Sequence, residues 1–399
     1  MTKLSFCAIA LNEEKSLPQC LGSVKDLVDE IILLDTGSSD RTVEVAGELG
    51  AKVYNFQWCN DFAAARNEAL KYVTGDWVLI LDADEVLTTE IVADLKLAIA
   101  KEDNLVVNLI RQEVGATQSP YSSVSRLFRL HPAVKFNRPY HASIDDSIEN
   151  ILKQEKHWQI VDLAKVAILH YGYRPEAIAA LNKFDRAKTA MESFLARQPH
   201  DPYTCSKLGA LYLQIDREKE GFKLLKQGLK SNQADAPVAF ELHYHLANFY
   251  SRDSNFEKAL KHYQKAISQP IIPLLKIGAY NNLGSVLQLL GDLERAEASY
   301  LLALKIAPDF ALGYYNLGKV YKQKGLFVDA IEAYQKAINL NPNYAFAYQN
   351  LAVVLLKIGQ LPESIAAFQK AIELHQNQNN PQEAARLRQK LQQMGFAKI

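Results

Sequence analysis

Asp76-Trp77-Val78-Leu79-Ile80-Leu81-Asp82-Ala83-Asp84-Glu85 is the stretch on which the fold turns. Its apolar run reads as a buried strand, and that strand passes straight into Asp-x-Asp. In a parallel sheet this places carboxylates at the carboxyl end of a strand, where such sheets present ligands. Hard oxygen ligands suit Mn²⁺ or Mg²⁺, and such an ion can bridge a pyrophosphate and neutralise a leaving nucleoside diphosphate. Acidic pairs after strands are also ordinary caps and solvated loops, so the surroundings decide.

On both sides of this stretch, short aliphatic runs alternate with longer amphipathic segments. Leu4 to Leu11, Glu30 to Leu34, Lys52 to Phe56 and Asn104 to Ile110 join it as predicted strands, with helices between. This is βαβ grammar, and it predicts an α/β, Rossmann-like, mostly parallel sheet built by right-handed crossovers. The turn Asp35-Thr36-Gly37-Ser38-Ser39 carries a glycine for close backbone approach, and Ser39 or Asp40 caps the next helix.

Four segments come in order: Leu11-Asn12-Glu13-Glu14 after the first strand, Asp35 to Thr42 after the second, Asp61 to Leu70 with Arg66 inside a helix, and the acidic strand. Together they resemble family 2 glycosyltransferases of the GT-A type, particularly bacterial members that join this domain to tetratricopeptide repeats. The resemblance covers about residues 3 to 175. It implies that Asp35 contacts the nucleobase or ribose of a nucleotide sugar, that Arg66 helps hold the nucleotide, and that Asn12 and Glu13 flank the base. It further implies that Asp82 and Asp84 serve the diphosphate and a divalent metal, with Asp84 the direct ligand. The plainer alternatives are turn stabilisation for Asn12 and Asp35 and a structural ion pair for Arg66. Many relatives carry a second acidic residue where this chain has Thr36.

Arg126-Leu127-Phe128-Arg129 followed by Tyr140-His141-Ala142-Ser143-Ile144 resembles the family's acceptor-side segment, in which an acidic residue often follows the histidine. Here Ala142 stands in that place. An inverting transfer needs a base for the acceptor proton, and the candidates are His141, Asp145 and Asp146. Ile168-Leu169-His170-Tyr171-Gly172-Tyr173 resembles the stretch that closes the domain. His170 there is either a metal ligand or a packed histidine in an aromatic cluster.

From about residue 200 the predicted strands vanish and a repeat appears. Asn282, Asn316 and Asn350 stand at successive differences of 34, as do Tyr280, Tyr314 and Tyr348, and Gly291, Gly325 and Gly359. That period resembles the tetratricopeptide repeat. The expected organisation is a transferase domain over residues 1–175, a helical connector over 176–200, about five repeats over 201–378 and a capping helix over 379–399. Stacked helical hairpins make a groove suited to a protein or peptide partner. The asparagines resemble a ladder that grips peptide backbone in protein glycosyltransferases, or else they are consensus residues bonded within the repeats.

Bulk composition narrows the function classes. Lys+Arg and Asp+Glu both number 45, which argues against a nucleic-acid partner. Four scattered cysteines form no disulfide framework and suit a reducing compartment, so a cytoplasmic location is expected, and no apolar run reaches the 18 residues of a spanning helix. The leading expectation is inverting transfer of a hexose or N-acetylhexosamine from a UDP-sugar with Mn²⁺ or Mg²⁺. A degenerate domain serving as scaffold for the repeats is the alternative, and Ala142 is the feature behind it. A nucleotidyltransferase ranks last, because Leu11-Asn12-Glu13-Glu14 is neither Gly-rich nor basic.

Overall fold

The computed structural model describes residues 2–116, 118–172, 181–231 and 233–395. Tyr173 and the first residues of the expected connector lie outside the described residues. The chain divides into two compact units, residues 1–116 with 120–238, and residues 117–119 with 239–399.

The first unit is built on one eight-stranded sheet: β1 (Leu4–Ala10), β2 (Glu30–Asp35), β3 (Lys52–Asn55), β4 (Trp77–Ile80), β5 (Glu85–Leu87), β6 (Asn104–Glu113), β7 (Tyr121–Arg129) and β8 (Gln159–His170). Their order across the sheet is β3-β2-β1-β4-β7-β6-β8-β5. Parallel pairs join β1 to β2, β2 to β3, β1 to β4 and β6 to β8. Antiparallel pairs join β4 to β7, β6 to β7 and β5 to β8, so the sheet is mixed beyond β4. All four residues of β4 are buried, as a strand covered on both faces requires.

The helices α1 (Leu17–Val24), α2 (Thr42–Glu48), α3 (Phe62–Leu70), α4 (Val92–Ile99) and α5 (Asp145–Gln154) follow the strands. Leu17, Leu21, Leu95 and Ile99 pack on one sheet face with Phe6, Leu79 and Leu127. Ala65, Ala69, Ile148 and Ile151 pack on the other with Val78, Ile80 and Phe128. The chain winds outward from β1 in one direction and onward from β4 in the other. That reversal opens a crevice at the carboxyl ends of β1 and β4, beside the acidic motif.

Helices Leu181–Arg197, Pro202–Gln214 and Glu218–Lys230 also belong to this unit. Asp201 caps the second of them by accepting the Thr204 N–H at 2.7 Å, and it pairs with Arg138 at 2.8 Å. The sequence reading begins the repeat array at residue 201, whereas this first hairpin groups with the sheet. The ion pair, with both side chains under a tenth exposed, is one tie between them.

The second unit stacks hairpins of Ala236–Arg252 with Phe256–Ile267, Ile277–Leu289 with Leu293–Ile306, Ala311–Lys324 with Phe327–Leu340 and Ala345–Lys357 with Leu361–Asn377, followed by Pro381–Gln393. The period has a packing cause. A Cβ on Gly284 would lie 2.8 Å from the Tyr300 ring, and one on Gly318 would lie 2.7 Å from Tyr334, so each large ring needs a glycine opposite. Gly291, Gly325 and Gly359 end the inner helices at φ of 79°, 77° and 82°, where glycine is favoured. The asparagines bond between repeats: Asn282 to Tyr244 and Asn248, Asn316 to Asn281, and Asn350 to Tyr315. Among the described residues, no helix is long and apolar enough to cross a membrane.

Candidate functional site

Leu81 carries the buried strand β4 into the crevice, and Asp82 is the first residue to turn a carboxylate there. Its Oδ1 accepts from Arg66 Nη2 at 2.7 Å and its Oδ2 from Arg126 Nη2 at 2.9 Å. Arg66 stands inside α3, whose entry is fixed by Asp61 accepting the Ala64 N–H at 3.0 Å. The Arg66 guanidinium is buried above the Phe136 ring, and its Nε and Nη1 have no partner. Two orphaned donors on a buried cation are what a diphosphate would satisfy. Burial, then the neighbouring Arg126 charge, lowers Arg66 to about 10. Burial alone would raise the Asp82 carboxyl, yet Arg126 and Arg66 outweigh it and hold it well below the usual carboxylate range. Asp82 is thus engaged by two arginines rather than open as a metal ligand.

Arg126 reaches Asp82 because β7 is bulged. Between Val124 and Leu127 it sets two residues, Ser125 and Arg126, against the stretch of β6 where Asn108 alone separates Val107 from Leu109. Val124 and Leu127, three apart, both face the α1 and α4 layer. A regular strand would put them on opposite faces; the bulge turns the intervening pair toward α3 and α5. Ser125 there donates to Asp145 Oδ1 at 2.7 Å, and Ser143 donates to its Oδ2 at 2.5 Å. Asp145 therefore sits at the start of α5 on hydroxyl partners. Asp146 pairs instead with Arg138 at 3.1 Å. His141 holds a φ of 52° with its ring 4.7 Å from that of Tyr140. Burial, and then the Asp82 charge, push the Tyr140 phenol up, so this loop lies within the field of the acidic turn.

On the other side of the motif, Asp84 Oδ2 lies 3.2 Å from His170 Nε2. Gly172 keeps the space beside them clear: a Cβ there would stand 2.6 Å from His170 Nε2 and 3.3 Å from Asp84 Oδ2. Among the described residues no third His, Cys, Asp or Glu completes a cluster with metal geometry. A carboxylate and an imidazole, with the other positions left to phosphate and water, fit Mn²⁺ or Mg²⁺. Glu113 Oε2 lies 2.5 Å from His170 Nδ1. Burial opposes protonation of His170, but hydrogen bonds to Asp84 and Glu113 outweigh it and raise the ring to about 9. A divalent ion held by these two groups would take the place of the Nε2 proton.

The loops after β1 and β2 lace together. Asn12, at a φ of 57°, accepts the Ser39 N–H at 2.8 Å, and the Glu13 N–H reaches Thr42 Oγ1 at 2.7 Å. Buried Asp35 accepts the Gly37 and Ser38 N–H groups, each at 3.0 Å, and so closes its own turn. Thr36, in place of the second acid, donates its hydroxyl to Ala10 O at 2.9 Å and locks β2 to β1. Sequence reasoning missed Glu85, Arg111 and Glu113. The only signal for them was the spacing of Arg111 and Glu113 by two at the end of a strand, which puts both on one face.

Residues 5–161 match the family model for Glycosyl transferase family 2, and residues 242–271, 284–325, 311–344 and 333–366 match tetratricopeptide models. The chain is 42% identical over 308 residues to a TPR repeat-containing protein of Synechococcus elongatus, covering 77% of this chain and 76% of that one. The chain belongs to the family 2 glycosyltransferases that carry a tetratricopeptide array. This glycosyltransferase is also 29% identical over 230 residues to the SPbeta prophage-derived glycosyltransferase SunS of Bacillus subtilis, a match spanning 56% of this chain and 52%, about half, of SunS. Among solved structures, MamA overlays the glycosyltransferase with a TM-score of 0.39 at 22% identity, over 45% of this chain and 95% of that one.

Proposed function

We propose that this glycosyltransferase moves a hexose or N-acetylhexosamine from a nucleotide sugar, a UDP-sugar, to an acceptor with inversion at the anomeric carbon. The observation that carries the reading is the pairing of Arg66, with two unpartnered nitrogens, and the Asp84 and His170 ligand pair around one acidic turn. In this reading Arg66 and Arg126 bind the diphosphate, and Asp82 balances their charge until it arrives. Asp84 and His170 hold Mn²⁺ or Mg²⁺, which supplies Lewis-acid stabilisation of the leaving diphosphate when bound. Asn12, Glu13 and Asp35 shape the loops that receive the base and ribose. Asp145 takes the acceptor proton, held at the start of α5 by the Ser125 and Ser143 hydroxyls, whereas Asp146 is engaged by Arg138. His141 flanks the acceptor.

The repeat array takes a protein or peptide, the partner class that stacked hairpins suit. The asparagine amides are already engaged between repeats, so that peptide is held by other groups. Four free cysteines agree with the reducing, cytoplasmic compartment that this reading places it in.

Calorimetry of UDP binding with and without Mn²⁺, run on the wild type and on Asp84→Asn beside a nucleotide-sugar hydrolysis assay, tests the reading. The expected result is metal-dependent heat and hydrolysis in the wild type and loss of both in the variant. A wild type with no metal-dependent heat overturns it and leaves the alternative, a scaffold with a degenerate transferase domain.

A further inference from the structure

Behind the metal pair lies a ring of polar groups that the transfer reaction does not itself use. Glu85 is fully buried, and its Oε2 accepts the backbone N–H of Asp82 at 2.8 Å. Its Oε1 pairs with Arg111 Nη1 at 3.1 Å. Arg111 Nη2 reaches on to Glu113 Oε1 at 2.9 Å, and Glu113 Oε2 meets His170 Nδ1 at 2.5 Å. His170 Nε2 then faces Asp84, two residues from where the ring began.

Strand register explains why these groups meet. His170 on β8 stands opposite Glu85 on β5 and opposite Glu113 on β6, so the three lie in one row across neighbouring strands. Arg111 precedes Glu113 by two and shares its face. Its planar fork is suited to bridging two carboxylates, which a point charge such as lysine is not. A buried glutamate is costly unless its oxygens are bonded, and here both are.

We propose that Glu113 and Arg111 are positioning residues for the metal site. Glu113 fixes the His170 ring so that Nε2 points at Asp84, and Arg111 clamps Glu113 to Glu85, which anchors the backbone of the acidic turn. The two ligands thereby come from distant strands yet are held at one spacing. A carboxylate on the remote nitrogen of a ligating histidine also raises the ring's basicity toward the ion. This inference rests on the assignment of Asp84 and His170 as metal ligands.

The test is Mn²⁺ titration of the full chain followed by electron paramagnetic resonance, without donor or acceptor, on the wild type, Glu113→Gln and Arg111→Lys. Pulsed measurements on the bound ion read imidazole nitrogen coupling directly. Weakening of Mn²⁺ binding by about 10- to 100-fold in Glu113→Gln, of about 10-fold in Arg111→Lys, and loss of nitrogen coupling in both, at melting temperatures close to wild type, is expected. Wild-type affinity and undiminished nitrogen coupling in the variants overturn the positioning role and leave the metal site standing. Bound Mn²⁺ in the wild type without nitrogen coupling removes His170 and this inference together, while Asp84 survives. No Mn²⁺ binding by the wild type defeats the metal assignment itself. Should Glu113→Gln fail to fold, Arg111→Lys, which keeps the charge, carries the comparison.

Discussion

Replacing Asp82 by Asn removes the carboxylate to which both Arg66 and Arg126 are bonded, and its cost can be worked from the structure. The arginine side chains are 7% and 11% exposed, so their charges are left nearly dry, while Asp82 keeps 34% exposure. Breaking a fully buried pair costs about 3–5 kcal/mol; the partial exposure of Asp82 discounts this to roughly 2–3 kcal/mol. At about 2 °C per kcal/mol for a unit of this size, the melting temperature of the first unit should fall by roughly 4–6 °C. Under the proposed function, the same substitution strips a competitor from the two cations that bind phosphate. Inorganic pyrophosphate should therefore stabilise Asp82→Asn more than it stabilises the wild type. Differential scanning calorimetry with and without millimolar pyrophosphate reads both effects. A variant that melts within 1 °C of wild type, or gains nothing from pyrophosphate, would refute the claim that Asp82 acts by pairing with both buried arginines.

Gly172→Ala places a methyl 2.6 Å from His170 Nε2 while leaving both proposed ligand residues in the sequence. Since Glu113 restrains the ring, Mn²⁺ affinity should drop about 10- to 100-fold, while UDP binding in the absence of metal stays unchanged; equal Mn²⁺ titrations of variant and wild type would contradict this. Glu30 accepts from the Ser5 hydroxyl at 2.7 Å, the Thr74 N–H at 2.6 Å and Lys52 at 3.2 Å. Burial works against its ionisation, but these bonds outweigh it and lower the carboxyl from 4.5 to about 2. With the folded value depressed, the stabilisation is complete above pH 4.5 and disappears as pH falls toward 2. Discounted for the solvent that screens this carboxylate, it amounts to about 1–2 kcal/mol. Urea unfolding of Glu30→Gln across pH 2 to 6 should show lower stability at the neutral end and a flatter acid limb; a limb as steep as that of the wild type would count against the assignment.

How far the site was legible depends on how local each feature is. Asn12, Asp35, Arg66, Asp82 and Asp84 lie in segments whose order and flanking apolar runs mark strand ends. The structure brings Arg66 and Asp82 into contact and laces the loops of Asn12 and Asp35 together. Asp84 and His170 also meet, although 86 residues separate them, because β8 pairs with β5 beside the acidic turn; in the sequence only a resemblance pointed to both. Glu85 read as one more acid after the motif, and only its full burial shows it to be an anchor. The asparagine repeat was visible, but its meaning was not: the same period serves a peptide grip or a clamp between repeats. The bonds to Tyr244, Asn281 and Tyr315 show the clamp.

By itself, the sequence determined that β1 to β4 and β6 become strands, where the acidic turn falls and where the helical repeat runs, but it did not mark β5, β7 or β8. Hydrophobic periodicity and glycine placement are local properties, felt within a few residues of chain. Only the tertiary structure decided that β7 inserts antiparallel beside β4, that a bulge turns Ser125 and Arg126 to one side, and that Glu85, His170 and Glu113 share a row. Those outcomes depend on register between strands far apart in the chain. A shift of one residue would carry each of these side chains to the opposite face of the sheet.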